Sequence, residues 1–227
     1  MTPRAAELHS SSVARGKTFD SDFVLDRAIE VFWQHGYDGT SIAQLLAMMA
    51  ISRQSLYDTF GDKHGLYLAA LERYRAKLGE ALNRVLDEHA SAQARIHAMF
   101  GLVQQTVRDP ADRRSCLLAN AALELGQRDP RVRALVAEHL REVEDRLFRI
   151  LVEGQVTGEL AHDRDARAIA AFLTNALHGL GVLARGGASP ASVRDAITTT
   201  LAVVSGLVRG SARAAVGLVP KRPVAQA

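Results

Sequence analysis

Apolar residues recur at intervals of three and four along nearly the whole chain, and runs of alternating β-branched residues are absent. That pattern predicts helices and no sheet. Leu25, Ile29, Phe32 and Trp33 make the first apolar face, which stops at His35-Gly36. Asp38-Gly39 turns the chain. Thr40 or Ser41 then caps a short helix with Ile42, Leu45, Leu46 and Met49 on one side, and Ser41 with Gln44 fits a capping box. A third helix opens at Ser52 and closes near Phe60-Gly61. Asp62 caps a fourth, longer one, in which Leu71, Tyr74, Leu78, Leu82 and Val85 recur.

Beyond residue 90 the periodic segments lengthen. Ile96, Met99, Phe100, Val103 and Val107 mark a fifth helix. A turn around RDPADRR precedes a sixth with Leu117, Ala121 and Leu125. Asp129-Pro130 is a strong start signal, an Asp cap with Pro in the first turn. It opens a helix carrying Val132, Leu135, Val136, Leu140, Val143, Leu147, Ile150 and Leu151. Two more follow, over 164–184 and 190–207. Their stripes are Ile169, Phe172, Leu173, Leu177 and Leu180, then Val193, Ile197, Leu201 and Val204. Two such hairpins can close a four-helix bundle, so the pair is the expected dimer surface; packing on the domain's own core is the other reading.

Composition narrows the class. The 227 residues are 48% hydrophobic and 23% charged, as in a globular protein. The one cysteine, Cys116, excludes an intrachain disulfide and any multi-cysteine metal site, and fits a reducing cytoplasm. The net charge of +3 invites a nucleic-acid reading, yet residues 1–90 hold 10 Lys/Arg against 12 Asp/Glu. A DNA-binding argument for the first half therefore rests on local placement. No apolar leader opens the chain, and the most apolar stretch, 169–184, is interrupted and short for a membrane span. The expectation is a cytoplasmic protein with no membrane partner.

Two short helices joined by about three residues make a helix-turn-helix, whose second helix enters the major groove. The outward positions of SRQSLYDTF, residues 52–60, are Ser52, Arg53, Gln54, Ser55, Asp58 and Thr59, suited to base edges and phosphates. Leu56 and Phe60 point inward. Tyr57 can lay its ring on the scaffold and offer its hydroxyl to a phosphate. Lys63, beside the free N–H groups of the next helix, completes an anion site.

These residues resemble a known family. GYDGTSIAQLLAMMAISRQSLYDTFGDKHGLY, residues 36–67, is similar to the DNA-binding segment of the TetR/AcrR transcriptional regulators. The match falls at Gly36, Tyr37, Thr40, Ile42, Ser52, Leu56, Tyr57, Phe60 and Lys63. Ala50 stands where most members have glycine. A left-handed alanine costs on the order of 1 kcal/mol, so a slight remodelling of that turn is expected.

The resemblance implies an all-α fold, an N-terminal three-helix DNA-binding domain followed by a larger helical ligand-binding and dimerisation domain. It implies a homodimer on a double-stranded, palindromic operator, and repression relieved by a small effector. The expected divisions are an arm at 1–18, the DNA-binding domain at 19–65, the ligand domain at 66–207 and a basic tail at 208–227, arm and tail being disordered. The DNA-binding residues expected are Thr40, Ser41, Ser52, Arg53, Gln54, Ser55, Tyr57, Thr59 and Lys63.

An effector pocket is expected among Met99, Phe100, Val103, Cys116, Asn120, Leu123, Asn175 and His178, types that suit an apolar molecule held by few polar groups. Asn175 and His178 also read as satisfied core polars. Arg-Ser-Cys-Leu-Leu-Ala-Asn, 114–120, is similar to an Arg-Gly-Cys-Leu segment in a subset of these regulators, some of which respond to electrophiles or oxidants. Cys116 is expected in the first turn of its helix, capped by Asp112 or Ser115 and preceded by Arg113 and Arg114, where dipole and charge favour a thiolate. It reads as a thiol sensor or a core residue.

The eight histidines form no cluster with metal-ligand spacing, and Glu159-x-x-His162 occurs once. No phosphate loop or nucleophile motif is visible, so neither cofactor nor catalysis is expected. The alternative is an all-helical carrier or enzyme with an incidental helix-turn-helix, which leaves Arg53, Gln54, Tyr57 and Lys63 without a task.

Overall fold

The computed structural model describes residues 19–106 and 116–208. Among them the chain forms nine α-helices and no strand. These are α1 (Ser21–His35), α2 (Ile42–Met49), α3 (Arg53–Phe60), α4 (Lys63–Asp87), α5 (Ala92–Thr106), α6 (Leu117–Leu125), α7 (Pro130–Val156), α8 (Ala166–Arg185) and α9 (Pro190–Val208). The expected arm, the turn through 108–114 with its proposed caps, and the tail from 209 lie outside the described residues.

The chain divides into two units between Tyr74 and Arg75, inside α4 and later than the expected 65/66. The first turns of α4 bury Leu66, Tyr67, Leu71 and Tyr74, residues the first unit needs for its core. With Val24, Ala28, Ile29 and Phe32 of α1, Leu45 and Met49 of α2, and Leu56 of α3, they form that core. Leu25 and Trp33 sit at the margin of the α1 face, half-buried. Trp33 packs edge-on against Tyr74, with centroids 5.1 Å apart. Arg73 of α4 clamps α1 by a bidentate pair to Asp26, 2.6 and 3.0 Å, and a third contact to Asp22 at 2.8 Å. These hydrogen-bonded carboxylates hold the guanidinium firmly protonated.

In the second unit α5, α7, α8 and α9 enclose Ile96, Phe100, Leu147, Leu151, Ala170 and Leu173, with Leu82 and Leu86 of α4 packed on the margin. The Ala92 N–H at the start of α5 donates to Glu159 Oε2 at 2.8 Å. Glu159 is therefore a helix cap, and among the described residues no group of three metal-ligating side chains exists. Gly154 permits that approach, since a Cβ there would lie 2.7 Å from the Ala92 Cβ.

The stripes read as a dimer surface face the opposite way. Leu173, Leu177, Leu180, Val193, Ile197 and Val204 are all buried in the chain's own core, whereas Phe172 is exposed. Four helices must bury one face before any partner arrives, and the more continuously apolar face wins. What remains on α8 is a second, mainly apolar stripe: Ala168, Ala171, Phe172, Asn175, Gly179, Val182 and Leu183, exposed at intervals of three and four.

Candidate nucleic-acid interface

The turn between α2 and α3 is built by caps. Ser41 and Gln44 form the reciprocal capping box, the Gln44 N–H donating to Ser41 Oγ at 3.2 Å and the Ser41 N–H to Gln44 Oε1 at 2.8 Å. Thr40 has a different role from the one expected. It is 2% exposed, and its hydroxyl donates to the Gly36 carbonyl at 2.6 Å. A side chain so enclosed cannot reach a phosphate; it fixes the turn that aims α2. Ala50 ends α2 at φ 54, ψ 39, the left-handed conformation itself. The turn is not remodelled, and the alanine takes the strain.

Ser52 caps α3, its Oγ accepting from the Ser55 N–H at 3.0 Å. Leu56 is fully buried and anchors the helix, while Ser52, Arg53, Gln54, Tyr57 and Asp58 are exposed. Ser55 and Thr59 are half-buried at the edges of that face. The Gln54 amide is already held: Nε2 donates to Asp58 Oδ1 at 2.7 Å, one turn along, which leaves Oε1 as an acceptor and the second Nε2 hydrogen as a donor. Tyr57 keeps 42% of its surface exposed, so its ring is less seated on the scaffold than expected.

Lys63 Nζ stands 4.4 Å above the centre of the Tyr37 ring. Tyr37 is itself braced by Tyr67 and Phe32, with centroids at 4.9 and 6.3 Å. This cation–π seat pre-positions a flexible side chain before any phosphate arrives. Tyr37 belongs to the family pattern, yet its residue type alone does not announce this seat. Its spacing of 26 residues from Lys63 gave no local signal. The anion site is narrower than expected, because Asp62 Oδ1 accepts the Gly65 N–H at 2.7 Å. Gly65 is required at this junction, since a Cβ there would lie 1.9 Å from the Phe60 carbonyl oxygen.

The residues expected to line an effector pocket separate. Met99 and Phe100 are closed core of the second unit, and Val103 packs partly buried against it. Leu123 is 74% exposed on the outer side of α6, and Asn175 is exposed on the outer stripe of α8. Neither lines an interior pocket; each occupies the solvent side of a helix whose other face is the apolar one. Cys116 is half-buried and is itself the cap residue of α6, one position before the first turn, with no side-chain capping bond. Its backbone nitrogen lies 3.8 Å from where a Cβ on Gly181 would stand, so the start of α6 rests on α8. His178 is half-buried and its ring meets that of His139. Sequence reasoning passed over His139, a lone histidine in an apolar stripe.

Comparison with known proteins agrees with this geometry. Residues 24–70 match the family model for bacterial regulatory proteins of the tetR family, and 92–200 match a tetracyclin repressor-like C-terminal domain. YezE of Bacillus subtilis, an uncharacterised HTH-type transcriptional regulator, is 33% identical over 85% of this chain and its own entire length. The HTH-type transcriptional repressor ComR of Escherichia coli is 27% identical over 92% of this chain and all of its own. A cysteine-substituted variant of the TetR family regulator CifR, solved on a 26-base-pair operator duplex, superposes with a TM-score of 0.71 at 32% identity. That match covers 82% of this chain and 97% of the CifR chain. The chain belongs to the TetR family of helix-turn-helix transcriptional regulators.

Proposed function

We propose that each protomer lays α3 in the major groove of one half of a roughly palindromic operator. Arg53 and Gln54 read base edges, while Ser52, Ser55, Thr59, Tyr57 and Lys63 hold the backbone. The observation that carries this is the pairing of an exposed, internally braced Gln54 with a Lys63 already seated on Tyr37. One short helix offers few base contacts, and two-fold symmetry doubles them. Selection from random duplexes tests it. A palindromic consensus with half-sites about one helical turn apart or modestly more supports the reading. Recovery of no preferred sequence, or an affinity indifferent to salt, overturns it.

The second copy covers the outer face of α8. This helix has a mean hydropathy of 1.3 over an 18-residue stretch of which only 28% is buried within the chain. A partner helix pair accounts for that apolar surface. The same reading makes the protein a cytoplasmic regulator rather than an enzyme, released from DNA by an effector bound in the second unit. A thiol-reactive effector is the second form of this reading, carried by the half-buried Cys116 at a helix start. Alkylation rate against pH, with DNA binding of the modified protein and of Cys116→Ser, separates a sensor from a structural thiol.

A further inference from the structure

His139 of α7 and His178 of α8 meet edge to face, with ring centroids 5.5 Å apart. His178 Nδ1 lies 2.8 Å from the Thr174 carbonyl oxygen. A carbonyl only accepts, so Nδ1 carries a proton, and in the neutral ring Nε2 presents a lone pair. Thr174, one turn earlier on the same face, is 7% exposed, and its Oγ1 has no hydrogen-bond partner among the described residues. His139 is also 7% exposed, and no hydrogen bond within the chain reaches its ring among the described residues. Buried polar groups are almost always hydrogen-bonded. The Thr174 hydroxyl is an orphan of that kind, and it lies one turn from His178, whose ring meets that of His139 on the facing helix.

The surrounding burial agrees. Val136 and Val143, on the His139 face of α7, and Leu177 of α8 each keep 8% of their surface, while Leu147, Ala170 and Leu173 keep none. The residual exposure follows the histidine pair and is flanked by apolar side chains.

Charge sets the class of guest. Burial first, then His178, Arg75 and Arg146, hold His139 uncharged, its pKa lowered to about 4. A cation would meet those two guanidinium groups. An anion would give up its water against uncharged rings, and Arg75 is already engaged by the Glu138 and Glu142 carboxylates at 2.6 and 3.9 Å. A neutral hydroxyl meets neither cost. It donates to His178 Nε2 and accepts from the Thr174 hydroxyl or the His139 N–H. We propose that the His139–Thr174–His178 face of α7 and α8 holds the hydroxyl head of an uncharged alcohol or phenol with an apolar body, and that such a molecule is the effector. This rests on the reading of the second unit as the effector-binding one.

The test uses the full-length protein at pH 7.5 and one skeleton with four heads: benzyl alcohol, toluene, benzoate and benzylamine, with phenol and hexanol beside them. Calorimetry gives affinity, and release of operator duplex gives response. The hydroxyl compounds should bind about tenfold or more tighter than toluene or either ion, the net worth of one or two buried hydrogen bonds. Thr174→Val and His178→Phe should each remove about that factor, and His178→Gln, which keeps an acceptor, should retain most of it. Circular dichroism confirms the fold of each variant. Equal binding of toluene, preference for benzoate, or no binding of any alcohol up to roughly 10 mM, an affinity worth only ~3 kcal/mol, overturns the inference. Ligand-free protein that fails to select a DNA site overturns the proposed function instead.

Discussion

At the scale of single residues, two positions show how the DNA-binding unit spends stability on geometry. Ala50 holds the only left-handed backbone outside glycine among the described residues. Ala50→Gly should relieve ~1–2 kcal/mol of strain and lose ~0.4–1 to the freer unfolded chain. The net expectation is a gain of about 0.5–1 kcal/mol, read as a melting temperature higher by roughly 1–4 °C. A lower melting temperature would show that the alanine methyl has a packing role. The sequence exposed the conflict, because an alanine at a turn that wants glycine is visible without coordinates. It could not say whether backbone or residue would yield. Thr40 is the converse case. Its type and position suit a phosphate contact, and only the structure shows the hydroxyl turned back to Gly36.

At the scale of elements, helix starts were the most legible feature, because a cap acts within four residues. Asp129 caps α7 as the sequence signals, Ser41 rather than Thr40 caps α2, and Ser52, where the sequence opens the third helix, is the cap of α3. Faces were less legible. Period alone does not say which of two apolar stripes on α8 turns inward, because that is decided by packing against α5, α7 and α9, which are distant in sequence. Lys63 belongs to this scale as well, since Tyr37 reaches it from another element. Lys63→Ala should weaken binding to all duplexes alike and lower the salt slope by about one phosphate contact. Tyr37→Leu should act in the same direction but more weakly, since it unseats the ammonium without removing it. Arg53→Ala should instead cost ~1–3 kcal/mol at particular base pairs and relax the consensus there. Titrations against operator and scrambled duplex at several salt concentrations distinguish the two patterns. A Tyr37→Leu effect confined to one base pair would remove its role as a seat.

At the scale of the whole molecule, acid and association set the limits. His139 is uncharged in the fold and titrates near its ordinary 6.5 when unfolded, against about 4 when folded. Between those values the unfolded chain binds more protons, so the contribution is full above pH 6.5 and is lost as pH falls towards 4. Roughly 2 kcal/mol should disappear between pH 7 and pH 5. His139→Leu should flatten that part of a denaturation series, and an unchanged acid limb would assign it to other groups. Association is the sterner constraint, because an operator read by paired helices is lost with the dimer. Phe172, 47% exposed, stands on the outer stripe of α8. In a two-fold interface each side chain appears twice, so a single substitution is felt twice. Phe172→Glu forfeits ~1.5–3 kcal/mol of apolar burial per copy and adds a carboxylate to desolvate. The dimer should weaken by a factor on the order of 10²–10⁴. Sedimentation at micromolar concentration should then show a folded monomer, with operator binding lost in parallel. A Phe172→Glu protein that stays dimeric would move the interface off α8.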